Sequence, residues 1–401
     1  MKIYNQIFTV SQNGTTGTSV ILMTRSQPFI LTTMKKIIDK KETDMRSKKL
    51  YLMMLLMIVA VLSAACSGGS KSASADKDEA KKADNAEIKI LSTEYTLPDD
   101  STTKLADGEL ILKVKVSIKN TGKEPLSVTR RSFNLYHGDS KVTDVNIYDA
   151  QNERLTTATL NSDKSVDGYL YYQVEKGEKY QLEYAPETYG DEKIEPIEFE
   201  IDGGSSAMLE SAKKLDDPAK ALLAYTDITL FGKDNEDFEK LTGENKREIV
   251  TDYIEGGQKS LIKSMGIYNE EDVDKKKLNK LISAIQNAYQ DKAKVKAVTK
   301  TMTSEEAKVE ATITPIDSSD TQKRVQKRME EYVKDSGKNY MSREELINPT
   351  IDVMAEELKK VETASNDKTV EVTMKKTKDG KWQLDLTDYD TEDYFSSFFK
   401  N

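Results

Sequence analysis

The residues able to carry chemistry in this chain are few, and their spacing narrows them further. There is one Cys, Cys66, and one His, His137. That supply excludes a Cys/His metal site, which needs up to four such ligands around one ion. His137 sits in Leu135-Tyr136-His137-Gly138-Asp139, a strand running into a turn. A catalytic triad needs a nucleophile and an orienting acid beside its His, and the sequence contains no nucleophile elbow. His137 therefore reads as a turn residue. Carboxylates number 69, so runs such as Glu270-Glu271-Asp272 or Asp388, Asp390, Glu392, Asp393 are expected on any exposed surface. Asn161-Ser162-Asp163 with Asp167-Gly168 lacks the spacing and terminal Glu of a calcium loop. Gly203-Gly204 and Gly256-Gly257 lack phosphate-cradle spacing and read as turns. Nothing here forms a catalytic, cofactor-binding or metal constellation, so the expected protein is not an enzyme.

Cys66 has a different chemistry available. It closes Leu62-Ser63-Ala64-Ala65-Cys66, with Arg46, Lys48 and Lys49 upstream and Ser67-Gly68-Gly69-Ser70 downstream. The apolar stretch 50–65 falls short of the roughly 20 residues of a spanning helix, and its flanks fit a cleaved signal. The segment resembles the lipobox of bacterial lipoproteins, with Ser63 where the family usually has Leu and Leu62 one place further back. The resemblance implies cleavage between Ala65 and Cys66 and a diacylglycerol on the Cys66 thiol. An uncleaved short anchor, or cleavage by the ordinary secretory peptidase after Ser63-Ala64-Ala65, are the other readings. Residues 1–44 fit no signal and read as an over-extended gene model. Lys41-Glu42 can be encoded AAG-GAG, a ribosome-binding core two codons before Met45, which places the signal at 45–65. The alternative is that 1–44 are a real, disordered extension.

The net charge is −9. Removing residues 1–65 takes away nine Lys or Arg and three Asp or Glu, leaving 51 basic against 66 acidic residues and a net −15. Such a body repels nucleic acid, anionic phospholipid and teichoic acid at long range. The lipid itself then has to hold the protein, and two acyl chains at about 0.8 kcal/mol per buried methylene suffice. With one Cys, no intrachain disulfide can form, and stability must come from ordinary cores.

These features need elements to position them. Residues 66–85 contain no large apolar residue after Cys66 and read as a solvated tether. From 86 to 202 the period is mostly two. Leu110 to Lys119 alternates apolar and polar and ends at Asn120-Thr121-Gly122. Further strands are expected at 87–91, 133–136, 142–148, 166–174 and 197–201. Short strands with turn signals at this spacing indicate a β-sandwich. On Val114, Val116, Ile118, Asn120, Gly122, Phe133 and Leu135, the stretch 86–202 resembles the telokin-like immunoglobulin domain of Gram-positive surface lipoproteins. Beyond Asp202-Gly203-Gly204 the period becomes helical, with helices expected from Asp217 and over 244–263, 274–290, 321–335 and 342–362. Hairpins are expected over 292–314 and around Asp379-Gly380. On Asp217, Pro218, Leu223, Tyr225, Gly232, Gly380, Trp382 and Leu384, residues 207–401 resemble a C-terminal lipoprotein domain akin to the nuclear-transport-factor-like cone. The helical stretch near 321–362 is an insertion in that pattern, where the simple cone has a turn.

Tyrosine is frequent, 19 against one Trp, so aromatic contact surfaces would be built from it. Tyr169 and Tyr171 share one strand face and Tyr172 opposes them; sheet filling is the expectation, with a contact face as the alternative. The tail Tyr389 to Phe399 carries five aromatics and is expected to pack across the cone mouth rather than to dock elsewhere. The chain as a whole is expected to be multidomain: an all-β immunoglobulin-like sandwich followed by an α+β domain with helices on an antiparallel sheet. Its expected role is that of a lipid-anchored lipoprotein on the extracytoplasmic face of the membrane, non-enzymatic and binding a protein or envelope-polymer partner, with no cofactor and no nucleic acid. The alternative is a small-ligand receptor or enzyme using a pocket in the cone.

Overall fold

The computed structural model describes residues 80–400, apart from 84, 101, 148–152, 186–195, 266, 268–269, 339–340 and 386–387. Ala65, Cys66, the signal 45–65 and the segment 1–44 lie outside the described residues. The described residues fall into two compact units, one of 80–217 with 299–308 and one of 218–298 with 309–400.

The first unit is β-rich. Its strands are β1 (Lys81–Ala83), β2 (Ala86–Thr96), β3 (Glu109–Asn120), β4 (Leu126–Val128), β5 (Phe133–His137), β6 (Ser140–Lys141), β7 (Ala158–Leu160), β8 (Ser165–Glu175), β9 (Lys179–Tyr184) and β10 (Ile197–Asp202). One sheet has the order β1-β2-β3-β8, a second β10-β9-β5-β6, and β4 pairs with β7. The period-two pattern decides the faces: in β3, Leu112, Val114, Val116 and Ile118 are buried while the Lys and Ser between them face outward. These side chains join Leu135, Leu170, Leu182, Tyr184 and Phe199 in one apolar cluster shared by both sheets. Helix α1 (Ser206–Lys214) adds Met208 and Ala212 to the same cluster, and its Ser211 hydroxyl accepts the Tyr95 N–H at 3.0 Å.

Three local features differ from expectation. The end of the tether stretch is β1, paired with β2 through Lys81↔Ile88, Lys82↔Glu87 and Ala83↔Ala86. The strand expected over 142–148 does not form in its described part. Residues 143–145 instead meet β8 through isolated bonds, Val145 N–H to the Tyr171 carbonyl at 3.0 Å and Gln173 N–H to the Thr143 carbonyl at 3.1 Å. β9, unpredicted, alternates as well as β3 does: Tyr180, Leu182 and Tyr184 are buried and the residues between them are not.

The second unit is α+β. Its helices are α2 (Asp217–Thr229), α3 (Phe238–Thr242), α4 (Lys246–Ser264), α5 (Lys275–Lys292), α6 (Thr321–Asp335), α7 (Arg343–Glu357) and α8 (Tyr389–Ser396). Its strands are β11 (Lys294–Met302) and β12 (Glu306–Thr314), whose connected ends over 299–308 are counted with the first unit, then β13 (Ile316–Asp317), β14 (Glu362–Thr363), β15 (Lys368–Lys376), β16 (Trp382–Leu384) and β17 (Phe399–Lys400). The main sheet has the order β11-β12-β15-β16, and β14-β13-β17 form a smaller one in which β13 and β17 run parallel. Capping residues fix the helix starts: Asn245 accepts from Glu248 N–H, Asp274 from Lys276 N–H, and Ser342 forms a reciprocal box with Glu345. Gly256-Gly257, read from sequence as a turn, lies inside α4 with both residues buried. The α6–α7 hairpin has its own apolar cluster of Val325, Met329, Val333, Met341, Leu346 and Val353.

Candidate functional site

His137 ends β5 with its side chain exposed, its ring 5.4 Å from that of Tyr180 and its Nε2 3.6 Å from the Glu178 carboxylate. The carboxylate runs are surface and capping groups: Asp388 caps α8 by accepting from Asp390 N–H at 3.1 Å, and Asp393 pairs with Lys368 at 2.8 Å. Asp163 supplies the positive-φ residue of a turn and lies 3.4 Å from Lys119. Tyr171 and Tyr172 are buried, and neither hydroxyl has a hydrogen-bond partner among the described residues; burial pushes both phenols well above their usual range. Among the described residues, no group of His, Cys, Asp and Glu could hold a metal ion, and no helix is long and apolar enough to cross a membrane.

The interior of the α+β unit, where a cone would hold its pocket, is occupied by aromatic side chains. Tyr394, Phe395 and Phe398 from the tail are buried, with Phe398 at 5.3 Å from Tyr394, 6.0 Å from Phe231 and 6.1 Å from Tyr289, ring centroid to ring centroid. The Tyr394 hydroxyl shares a 2.5 Å hydrogen bond with Thr226, whose hydroxyl also reaches the Leu222 carbonyl. Tyr225 packs edge-on against Phe238 and donates to Glu244; burial first, then the Glu244 charge, raises its pKa. Tyr389 alone among the tail aromatics is largely exposed, at 74%.

A groove of about 300 Å³ instead opens on the helical side of this unit, between α5 and the end of α7. Along α5, Lys280, Ala284, Ala288 and Lys292 recur every four residues, with Ser283, Asn287 and Asp291 in the adjacent row, so one helix face lines the groove. Ala355, Leu358 and Val361 complete an apolar floor, and Lys359 and Glu356 stand at the rim. Sequence reasoning missed this site, although its four-residue row of cation, small, small, cation was present to be read.

The rim charges stand beside groups of opposite sign. Lys280 lies 3.7 Å from Asp352, which also binds Lys277, and Lys292 lies 3.6 Å from Glu362. Glu356 is drawn to Arg328 at 2.7 Å. Next to it, the Glu357 carboxylate is fully buried and accepts from Lys360 Nζ at 2.6 Å, Arg324 Nε at 2.8 Å and Arg328 Nη1 at 3.2 Å. Burial alone would raise its pKa, but the bonds from Lys360, Arg324 and Arg328 outweigh that and hold it below the ordinary value. This cluster ties α6 to the end of α7 and so fixes one wall of the groove.

Comparison with known proteins places this architecture. Residues 75–194 match a family described as a domain of unknown function, DUF4352, and residues 208–399 match a second, DUF5105. The uncharacterised lipoprotein YcdA of Bacillus subtilis is 41% identical over 331 residues, spanning 82% of this chain and 92% of that protein. A crystal structure of the same Bacillus subtilis protein matches with a TM-score of 0.74 over 81% of this chain and 100% of the other. The yjhA protein of Bacillus subtilis matches over 27% of this chain and 78% of its own, at 27% identity and a TM-score of 0.23.

Proposed function

The chain belongs to the family of the uncharacterised lipoprotein YcdA of Bacillus subtilis, and from that premise we propose an extracytoplasmic lipoprotein, held by a diacylglycerol on Cys66, that binds an envelope partner without catalysing a reaction. The observation that carries the binding reading is the exchange of one cavity for another: aromatic side chains occupy the interior, and an amphipathic groove opens on the helical side. A floor of Ala284, Ala288, Ala355, Leu358 and Val361, ringed by Lys280, Lys292, Lys359, Asp291 and Glu356, suits an apolar surface with polar groups of both signs around it.

In this reading the β-rich unit is a telokin-like immunoglobulin sandwich, supported by two sheets that share one apolar cluster. The α+β unit is a relative of the nuclear-transport-factor-like cone whose helical insertion, α6–α7, supplies the groove wall. The experiment is site-specific photo-crosslinking on intact cells from Asn287, an exposed groove residue, with the exposed Tyr332 on α6 as control. A discrete adduct from Asn287 and none from Tyr332 is expected. Equal labelling from both positions would remove the groove from the proposal.

A further inference from the structure

The buried residues that line the groove between α5 and the end of α7 are all apolar: Ala288, Ala355, Leu358 and Val361. Its polar residues are exposed or half-exposed along the edges. Three of them already stand beside a charge of opposite sign, Lys280 by Asp352, Lys292 by Glu362 and Glu356 by Arg328. Asp291 and Lys359, both exposed, add one charge of each sign.

Each class of ligand asks something different of such a surface. A small polar molecule is fixed by polar groups that converge inside a pocket, and no buried polar side chain lines this one. A polyanion needs a rim of one sign, whereas Asp291 and Glu356 stand among the lysines here. A lipid chain has nothing to offer the charged rim. An extended peptide docks by adding a strand to a free sheet edge. The walls here are helical, with N–H and C=O groups directed along the helix axes. An amphipathic helix needs an apolar channel bordered by charges of both signs, and that is the pattern of the lining residues.

The dimensions agree. Lys280 and Lys292 are the ends of a row on α5 that is about 18 Å long, just over three turns. Between them Ala284 and Ala288, one turn apart, raise no ridge, so a second helix can approach α5 closely and set its own row of side chains there. Taking the groove as the binding site, we propose that its occupant is an amphipathic α-helix of a partner protein. That helix engages about twelve residues and presents apolar side chains at i, i+4 and i+7 to the floor. Acidic side chains on its flanks face Lys280, Lys292 and Lys359, and basic ones face Asp291 and Glu356.

The test places a photo-crosslinking amino acid at Ser283 and, separately, at Asn287 of the full chain in intact cells, and maps the joined residues by mass spectrometry. Both positions are exposed and lie one turn apart on the same row. Each is expected to mark residues three or four apart within one protein segment. Marks on alternate residues would identify a strand and overturn the helix. An adduct with lipid or glycan would also overturn the helix, while leaving the groove as a binding site. No discrete adduct from either position would remove the groove itself, and its occupant with it. Ala284→Leu puts a good helix former on a half-buried position and fills the channel. It is expected to lower the adduct yield about tenfold with the melting temperature unchanged. An undiminished yield in that variant would overturn the proposal.

Discussion

Burying the Glu357 carboxylate is unfavourable unless every lone pair finds a donor, and Lys360, Arg324 and Arg328 supply them. Removing the charge leaves those cations facing a neutral group at a site fixed by packing. Glu357→Gln is therefore expected to cost about 1.5–3 kcal/mol, read as a fall in the denaturant midpoint with an unchanged slope. Because the folded pKa of Glu357 is depressed, its contribution is complete above the unfolded value of 4.5 and is lost as pH falls through the lower folded value. Unfolding followed from pH 6 to 3 should show an acid-side loss of stability that is weaker in the Gln variant. At the same scale Gly168 is required by contact: a Cβ there would stand 2.4 Å from Leu155 Cα, where the loop returns across β8. Gly168→Ala is expected to lower the melting temperature, by strain of about 1–3 kcal/mol. Neither residue was legible. The Glu357 site joins α6 to α7 across 33 residues of sequence, and Gly168 looks like any strand glycine until the return segment is placed over it.

Elements followed local rules where those rules are local. α6 spans 321–335 as expected, and α4 and α5 start beside the Asn and Asp caps that the sequence offers. α7 keeps going through Pro349, against the ordinary cost of an internal proline, while Asn348 binds the 272–274 segment from inside it. The tail was also read correctly as packing. Tyr394, Phe395 and Phe398 are buried, and β17 pairs in parallel with β13. Deleting 389–401 is expected to abolish the cooperative transition of the α+β unit, because three large aromatic side chains leave its core at about 3–5 kcal/mol each. An unchanged melting profile would contradict that packing role. α1, α3 and α8 were missed, since helices of five to nine residues show too little periodicity to stand out from loops.

At the scale of the whole molecule, the proposed location depends on one residue and a charge balance. A net −15 body should not adsorb to anionic lipid, so membrane association is expected to resist about 1 M salt, where the Debye length is about 3 Å, and to yield to detergent. Cys66→Ala should shift the protein out of the membrane fraction; persistence there would defeat the lipid anchor. What the sequence alone determined is the succession of a β-rich and an α+β region, since periodicity is a property of neighbouring residues. It also determined the expectation of a lipidated Cys66, because that signal is a linear pattern read by an enzyme. Only the tertiary structure decided that the interior of the α+β unit is filled while a groove opens between α5 and α7. It alone set Ala355, Leu358 and Val361 beside the alanine row of α5. Both outcomes depend on residues far apart in the chain, whose meeting is set by which faces bury apolar area and how closely the backbones approach.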